Sequence, residues 1–133
     1  MTALVSVVDD DESVREALES LIRSAGLKVQ VFVSAEQFLE SRGFENTACL
    51  ILDVRMPGMS GIELHRYLLS KGHHVPVVFM TAHASDEQCR TEALSQGGFA
   101  YLIKPFHKGE LLDAIYRVLD SDAQHAWKRG QSL

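Results

Sequence analysis

Five short apolar runs alternate along the chain with segments whose apolar residues recur at helical spacing. The runs are Leu4–Val8, Lys28–Phe32, 48–52, 75–80 and Ala100–Ile103. Strands that alternate with helices are typical of an α/β domain with a parallel sheet. The first, third and fourth runs are largely apolar, as expected of strands buried on both faces. The second and fifth runs are weaker strand signals, so we expect them near the sheet edges.

Helix signals fill the intervals between these runs. The first helix is predicted from an apolar face that ends before Gly26, a plausible stop; its members are Val14, Leu18, Leu21, Ile22 and Ala25. Three capping-box patterns then open further helices: Ser34 with Gln37, Ser60 with Glu63, and Ser85 with Gln88. The last helix is predicted over 107–119, with its leucines, isoleucine and valine facing inward.

Length and composition indicate one globular domain. The chain has 133 residues, 46% of them apolar, which suits a single core. Its net charge of −5 argues against direct binding of this domain to DNA. We assign residues 1–120 to the domain and 121–133 to a polar tail that begins a linker. No apolar stretch approaches the ~20 residues that span a bilayer, and no leader pattern is evident, so we expect a cytoplasmic protein. Cys49 and Cys89 lack a metal or redox spacing and are expected to form no disulfide.

Polar residues stand where the predicted strands end. Asp9 and Asp10 follow the first run, and Asp53, Thr81 and Lys104 follow the third, fourth and fifth. Because sites in open parallel sheets form at the carboxyl ends of the strands, we expect all five side chains to share one pocket.

Three carboxylates in one pocket repel each other unless a cation joins them. Carboxylate oxygens suit Mg²⁺, which keeps several waters and also binds phosphate oxygens. The alternative is that Asp10 and Asp11 only cap the first helix. We favour that alternative for Asp11, which lies further into the helix, and the metal for Asp9 and Asp10.

Asp53 is the candidate for covalent chemistry. A carboxylate can attack phosphorus and form an acyl phosphate when cations neutralise the charge on the phosphoryl oxygens. Lys104 supplies a compact positive charge, and Thr81 supplies a hydroxyl donor.

Four motifs resemble the receiver domain of two-component response regulators. They are VVDDDESVR, LILDVRMPGMSGIEL, VVFMTAH and AYLIKPF, in the family's order and spacing over residues 4 to about 120. The RMPGMSG run and the TAH run resemble the FixJ-like branch. The resemblance implies a flavodoxin-like five-stranded sheet of order 2-1-3-4-5 with helices on both faces.

The family also implies a role for each motif residue. Asp53 would take a phosphoryl group from a phosphohistidine of a sensor histidine kinase. Mg²⁺ or Mn²⁺ would be bound by Asp10, Asp53 and the backbone carbonyl of Arg55, with Asp9 acting through water. Lys104 would pair with the acceptor or its phosphoryl group, and the Lys104–Pro105 bond resembles the family's cis peptide.

Phosphorylation in this family is read out by a switch. Thr81 and Tyr101 match the switch pair, in which the hydroxyl moves to the phosphoryl group and the aromatic ring turns inward. Arg55 and His83 lie at positions that tune the lifetime of the phosphoryl group. Two residues depart from the pattern: Gly98 stands where alanine is usual and Phe99 where a polar residue is common.

The resemblance implies a signalling phosphoacceptor, which promotes only its own phosphorylation and dephosphorylation, rather than an enzyme. A haloacid-dehalogenase phosphatase would need an acid in place of Arg55. A flavodoxin would need a phosphate loop where the DDDES run would repel phosphate. The FixJ-like motifs favour homodimerisation on phosphorylation. They also favour control of transcription by a DNA-binding output domain outside this chain. A stand-alone receiver or phosphorelay intermediate is the alternative.

Overall fold

The computed structural model of the chain describes residues 3–82 and 87–131, with residues 121–131 described by their backbone only. The strands are β1 (Leu4–Val8), β2 (Lys28–Phe32), β3 (Cys49–Asp53), β4 (Val77–Thr81) and β5 (Ala100–Ile103). The helices are α1 (Glu12–Ser24), α2 (Ala35–Ser41), α3 (Gly61–Ser70), α4 (Glu87–Ser95) and α5 (Lys108–Gln131), with a short 3₁₀ turn at Gly43–Glu45.

The five strands form one parallel sheet in the order β2-β1-β3-β4-β5. This confirms the predicted fold class and strand order. It also confirms that the weaker second and fifth runs are the two edge strands. Both β3 and β4 are buried along their whole length, as their continuous apolar sequences predicted.

Two strand boundaries differ from the prediction. β3 runs one residue later than predicted because Asp53 still pairs in register with Met80. β4 begins at Val77 rather than at residue 75. Pro76 has no backbone N–H to donate to the ladder, so the regular strand starts after it, although the Pro76 carbonyl accepts from the Leu50 N–H at 2.9 Å.

The helix starts follow the predicted caps where the structure describes them. Ser34 accepts from the Gln37 N–H, and Ser60 and Glu63 form a complete reciprocal capping box. Gly26 follows α1 with a φ of +83°, a conformation that favours glycine. Ser85, the third predicted cap, lies outside the described residues.

The last helix is longer than predicted. It begins at Lys108 and continues to Gln131 instead of ending near Leu119, so the tail at 121–131 has a helical backbone. The polar composition after Leu119 suggested an end, but the segment has no proline, and its only glycine is Gly130. Alanine, glutamine, lysine and arginine are strong helix formers, which explains why polarity alone was a poor stop signal. The tail's role as a linker stays a prediction.

The core has one apolar cluster on each face of the sheet. One cluster packs α2, α3 and α4 against the sheet through residues that include Phe38, Leu68 and Phe79. The other packs α1 and α5 against the opposite face through residues that include Ile22, Ile51 and Ile115. Helices on both faces are what a parallel sheet requires to bury its two apolar sides.

Within the described part of the chain, no helix is both long enough and apolar enough to span a bilayer.

The two thiols differ in environment. Cys49 lies on β3 with no exposure, and burial raises its pKa to about 12. Cys89 lies on α4 and is partly exposed, and neither cysteine is in a disulfide, as predicted.

A thiol reagent such as 5,5′-dithiobis(2-nitrobenzoate) at pH 8 should therefore modify one cysteine in the native protein and the second only on unfolding. The thiolate is the reactive form, and Cys49 is both buried and held protonated. The absorbance of the released thiolate measures the stoichiometry. Cys89→Ser should remove the fast phase, and a native Cys89→Ser protein that still reacts would contradict the buried placement of Cys49.

Candidate functional site

The carboxyl ends of four neighbouring strands meet at one edge of the sheet. Asp9 follows β1, Asp53 ends β3, Thr81 ends β4, and Lys104 follows β5. Backbone hydrogen bonds hold the ends in register: the Lys104 N–H donates to the Thr81 carbonyl at 2.7 Å, and the Val54 N–H donates to the Met80 carbonyl at 2.9 Å. The structure thus brings together the residues that the sequence placed at the strand ends.

Three carboxylates form the centre of this edge. Asp9, Asp10 and Asp53 each offer an oxygen, and these oxygens lie within 4.8 Å of one another. Asp9 is fully buried and Asp53 is only 7% exposed, whereas Asp10 is exposed. Among the described residues, no other group of three or more metal-ligating side chains lies this close together. A set of hard oxygen donors, partly open to solvent, fits a divalent cation of the Mg²⁺ type.

Lys104 is the cation that the fold itself brings to these acids. Its Nζ donates to Asp9 Oδ2 at 2.8 Å and lies 3.6 Å from Asp53 Oδ1. Burial lowers the pKa of Lys104, but the hydrogen bond to Asp9 and the attraction of Asp53 outweigh it, so that pKa is raised. Lys104 therefore stays protonated and offsets part of the carboxylate charge.

Asp9 has both of its carboxylate oxygens engaged. Oδ2 accepts from Lys104, and Oδ1 accepts from the Asp11 N–H at 2.9 Å. Asp11 in turn caps α1, because its Oδ1 accepts from the Ser13 N–H at 2.9 Å. The capping interpretation of Asp11 is thus confirmed. The Arg15 guanidinium donates to the Asp9 carbonyl at 2.8 Å, which fixes the turn between β1 and α1.

The carboxyl group of Asp53 is a weaker acid than an ordinary aspartate. Burial raises its pKa, the charge of Asp9 adds to the rise, Lys104 opposes it, and the result is about 6 against an ordinary 3.8. The shift has a simple physical meaning, since a second negative charge beside Asp9 in a poorly solvated place is costly. Asp53 is ionised at neutral pH, yet it gains from any additional cation.

The backbone leaves no room for a side chain behind Asp53. A Cβ on Gly61 would stand 2.2 Å from the Asp53 carbonyl oxygen, and the Gly61 N–H donates to the Val54 carbonyl at 2.9 Å. The start of α3 is therefore pressed directly against the end of β3. Only glycine allows this approach, so Gly61 is part of what positions Asp53.

Thr81 and Tyr101 lie on adjacent strands, and the two side chains are close. Tyr101 packs against the apolar cluster that contains Phe79, and its hydroxyl is buried without a partner in hydrogen-bonding geometry. Burial raises the pKa of the Tyr101 hydroxyl, with a contribution from Cys89, while Thr81 opposes the rise. The ring is therefore directed inward, towards β4 and α4.

The remaining predicted positions have different outcomes. Arg55 is exposed in the loop after β3, near enough to Tyr101 to lower its pKa slightly. His83 lies outside the described residues. Gly98 departs from the family's alanine for a visible reason, because a Cβ there would stand 2.7 Å from both the Phe79 ring and the Ala93 carbonyl. Phe99 is 41% exposed and lies just before β5.

The family model for the response regulator receiver domain matches residues 5–116. This chain belongs to the response regulator receiver family. Members bind a divalent metal ion at an acidic pocket, and the three aspartates of this receiver domain form such a pocket.

Individual relatives agree with this assignment. The receiver domain is 43% identical to the response regulator protein TmoT of Ectopseudomonas mendocina, over 88% of this chain and 53% of the relative. It is 39% identical to the transcriptional regulatory protein FixJ of Azorhizobium caulinodans, over 90% of this chain and 56% of the relative. The solved structure of the response regulator StyR matches with a TM-score of 0.88 at 45% identity, over 99% of this chain and 66% of that one. The FixJ-like resemblance is thereby confirmed, and the chain spans about half the length of the curated relatives it matches.

Sequence reasoning missed three contributors to the receiver site. Gly61 was noted only as part of a motif, although the close approach to Asp53 demands it. Arg15 was not singled out, and only its place six residues after Asp9 hinted at a contact across the first turn of α1. Glu36 was missed because its partner, the Met59 N–H, lies 23 residues away and no local pattern announces it.

The pKa of Asp53 predicts a gain in stability when its charge is removed. The folded-state pKa of about 6 lies above the ordinary 3.8. The stability that this group contributes is therefore fully present below about pH 4 and is lost as the pH rises through about 6. Asp53→Asn should be more stable than the wild type at pH 7.5 in EDTA, by about 1 kcal/mol after solvent screening.

Urea unfolding at pH 7.5 and pH 4, both in EDTA, measures this difference. The advantage of Asp53→Asn should shrink at pH 4, where the wild-type carboxyl is already mostly protonated. Asp113→Asn is a matched control, because Asp113 is exposed on α5 and pairs with Arg117 at 2.9 Å; it should be neutral or slightly destabilising. An Asp53→Asn protein less stable than the wild type at pH 7.5 would contradict the charge repulsion inferred at this site.

Proposed function

We propose that this receiver domain is a Mg²⁺-dependent phosphoacceptor, with Asp53 as the residue that takes the phosphoryl group from a phosphohistidine of a sensor histidine kinase. The observation that carries the proposal is the position of Asp53. Its carboxylate is nearly buried, lies within 4.8 Å of oxygens of Asp9 and Asp10, and has the Lys104 ammonium 3.6 Å away. A nucleophile surrounded by metal ligands and one fixed cation is suited to phosphoryl transfer.

The chemistry involves one bond made and one broken. An ionised Asp53 oxygen attacks phosphorus, the bond between phosphorus and the histidine nitrogen breaks, and the electron pair leaves with the imidazole. The product is an acyl phosphate on Asp53. Lys104 would shift from Asp9 towards the phosphoryl oxygens, and the Thr81 hydroxyl would donate to one of them. Since the pKa of Asp53 is about 6, the nucleophile is in its reactive form at neutral pH.

The metal would be Mg²⁺, or Mn²⁺ in its place, bound by Asp10, Asp53 and the backbone carbonyl of Arg55, with Asp9 acting through water. The engagement of both Asp9 oxygens supports an indirect role for that residue. Asp10 is exposed and is thus able to turn towards an ion. When bound, the ion would neutralise charge on the transferring phosphoryl group.

The output would come from the face formed by α4, β5 and α5. In the proposed switch, Thr81 moves to the phosphoryl group, and the ring of Tyr101, which already faces inward in this structure, occupies the space that Thr81 leaves. Four apolar residues of these elements and of the segment before β5 are each at least 37% accessible: Leu94, Phe99, Ile103 and Tyr116. Exposed apolar residues favour a protein partner, and we propose a second copy of the chain after phosphorylation.

The proposed output follows from the relatives. The transcriptional regulatory protein FixJ is nearly twice the length of the matched region, so we propose control of transcription through a DNA-binding output domain outside this chain. We also propose a cytoplasmic location, phosphoryl-lifetime tuning by Arg55 and His83, and a signalling rather than an enzymatic role. A stand-alone receiver or phosphorelay intermediate would use the same site without a DNA-binding output.

Acetyl phosphate with Mg²⁺ should label the wild type at a single residue. The bond should be stable in acid and labile to hydroxylamine, because it is an acyl phosphate. Asp53→Asn should abolish the label, and EDTA should suppress it in the wild type. Intact-protein mass spectrometry, with a gain of one phosphoryl group, measures the product.

Asp113→Asn serves as the matched control, since it removes an exposed carboxylate on α5 that pairs with Arg117 and does not belong to the aspartate cluster. It should be labelled like the wild type. Labelling of Asp53→Asn at the wild-type level would refute the assignment of Asp53 as the acceptor.

A further inference from the structure

The loop between β3 and α3, residues 54–60, carries the Arg55 carbonyl of the proposed metal site. Its two ends are well fixed. The Gly61 N–H donates to the Val54 carbonyl at 2.9 Å, and the Ser60–Glu63 capping box locks the start of α3. Between these ends Met56 is buried and Met59 is half-buried against the same apolar cluster, while Arg55, Pro57 and Gly58 are exposed. The two methionines anchor the loop through their side chains, and its backbone at Pro57 and Gly58 stays exposed.

One side chain from another element reaches this middle segment. Glu36 Oε2 accepts a hydrogen bond from the Met59 N–H at 3.0 Å. The same oxygen would stand 2.7 Å from a Cβ on Gly58, so the carboxylate lies directly against the loop backbone. Gly58 has a φ of +76°, which already favours glycine. The positive φ of this turn therefore favours glycine at position 58.

Glu36 is well placed to act as a fixed point. It lies in the first turn of α2, between the fully buried Ala35 and Phe38. The turn is held by reciprocal contacts, because Ser34 Oγ accepts from the Gln37 N–H at 3.0 Å and Gln37 Oε1 accepts from the Val33 N–H at 2.7 Å. A carboxylate in the first turn ordinarily stabilises the N-terminus of its own helix. Here it accepts a hydrogen bond from a loop residue 23 positions away.

We propose that Glu36 is a positioning residue for the loop 54–60 between β3 and α3. By holding the Met59 N–H, it sets the path of residues 55–59 and so the place of the Arg55 carbonyl relative to Asp10 and Asp53. A hydrogen bond to a charged acceptor is stronger than one between neutral groups, which suits the exposed backbone between Met56 and Met59. The inference rests on the proposed function, since it concerns the metal ligands assigned there.

The test compares the wild type with Glu36→Ala, Glu36→Gln and Glu40→Ala. Glu40 is a matched control, because it is an exposed glutamate on the same helix and its removal changes the net charge equally. Glu36→Ala should weaken Mg²⁺ binding about three- to tenfold, the equivalent of one such hydrogen bond. Glu36→Gln keeps a hydrogen-bond acceptor, so its Mg²⁺ affinity should lie between those of the wild type and Glu36→Ala. The Mg²⁺ affinity of Glu40→Ala should match that of the wild type.

Two measurements separate positioning from a general loss of stability. Isothermal titration calorimetry with Mg²⁺ gives the affinity, and amide hydrogen exchange followed by NMR gives the protection of the Met59 N–H. In Glu36→Ala the Met59 amide should exchange faster while amides of the β3 core keep their protection. A merely structural role would instead lower protection across the domain.

The outcomes are distinct. Glu36→Ala with wild-type Mg²⁺ affinity would overturn the inference and leave the proposed metal site standing. Equal weakening by Glu40→Ala would also overturn it, since the effect would then be one of net charge. A wild type that binds no Mg²⁺ would refute the metal site of the proposed function, and the inference about Glu36 with it.

Discussion

The organising constraint in this protein is the repulsion among three carboxylates at the carboxyl edge of a parallel sheet. Asp9, Asp10 and Asp53 place their oxygens within 4.8 Å of each other, and only Lys104 from the described residues forms ion pairs with them. Lys104 is nearer to Asp9 than to Asp53, so the charge on Asp53 is the less completely offset. Burial raises the pKa of Asp53, and the charge of Asp9, which Lys104 offsets only in part, raises it further. A site with unbalanced negative charge binds cations readily, and a bound cation can in turn hold a phosphoryl group.

The fold has to hold this unfavourable arrangement in place. β1, β3 and β4 are buried in the middle of the sheet, with an apolar cluster on each face, so their ends cannot separate to relieve the repulsion. Gly61 presses the start of α3 onto the Asp53 carbonyl, and Arg15 fixes the Asp9 turn. The stability given up at the site is small beside what apolar burial contributes across the domain.

Much of this arrangement follows from the sequence because it depends on local patterns. Apolar runs set the strands, and an aspartate or lysine directly after a run reports the strand-end edge without any knowledge of contacts. The failures have equally physical causes. The end of α5 at Gln131 was missed because a polar segment of good helix formers has no stop signal. The contact of Glu36 with the Met59 N–H, and the exclusion of a Cβ at Gly61, arise from tertiary approach, which residue spacing does not encode.

The most direct test of the central claim is Mg²⁺ affinity, measured by isothermal titration calorimetry on the wild type, Asp10→Asn and Asp11→Asn. The two variants remove one charge at adjacent positions, but Asp10 belongs to the acidic cluster while Asp11 caps α1. The account predicts binding to the wild type, at least about tenfold weaker binding to Asp10→Asn, equivalent to 1.4 kcal/mol, and little change in Asp11→Asn. Equal weakening by both variants, or no Mg²⁺ binding by the wild type, would contradict it.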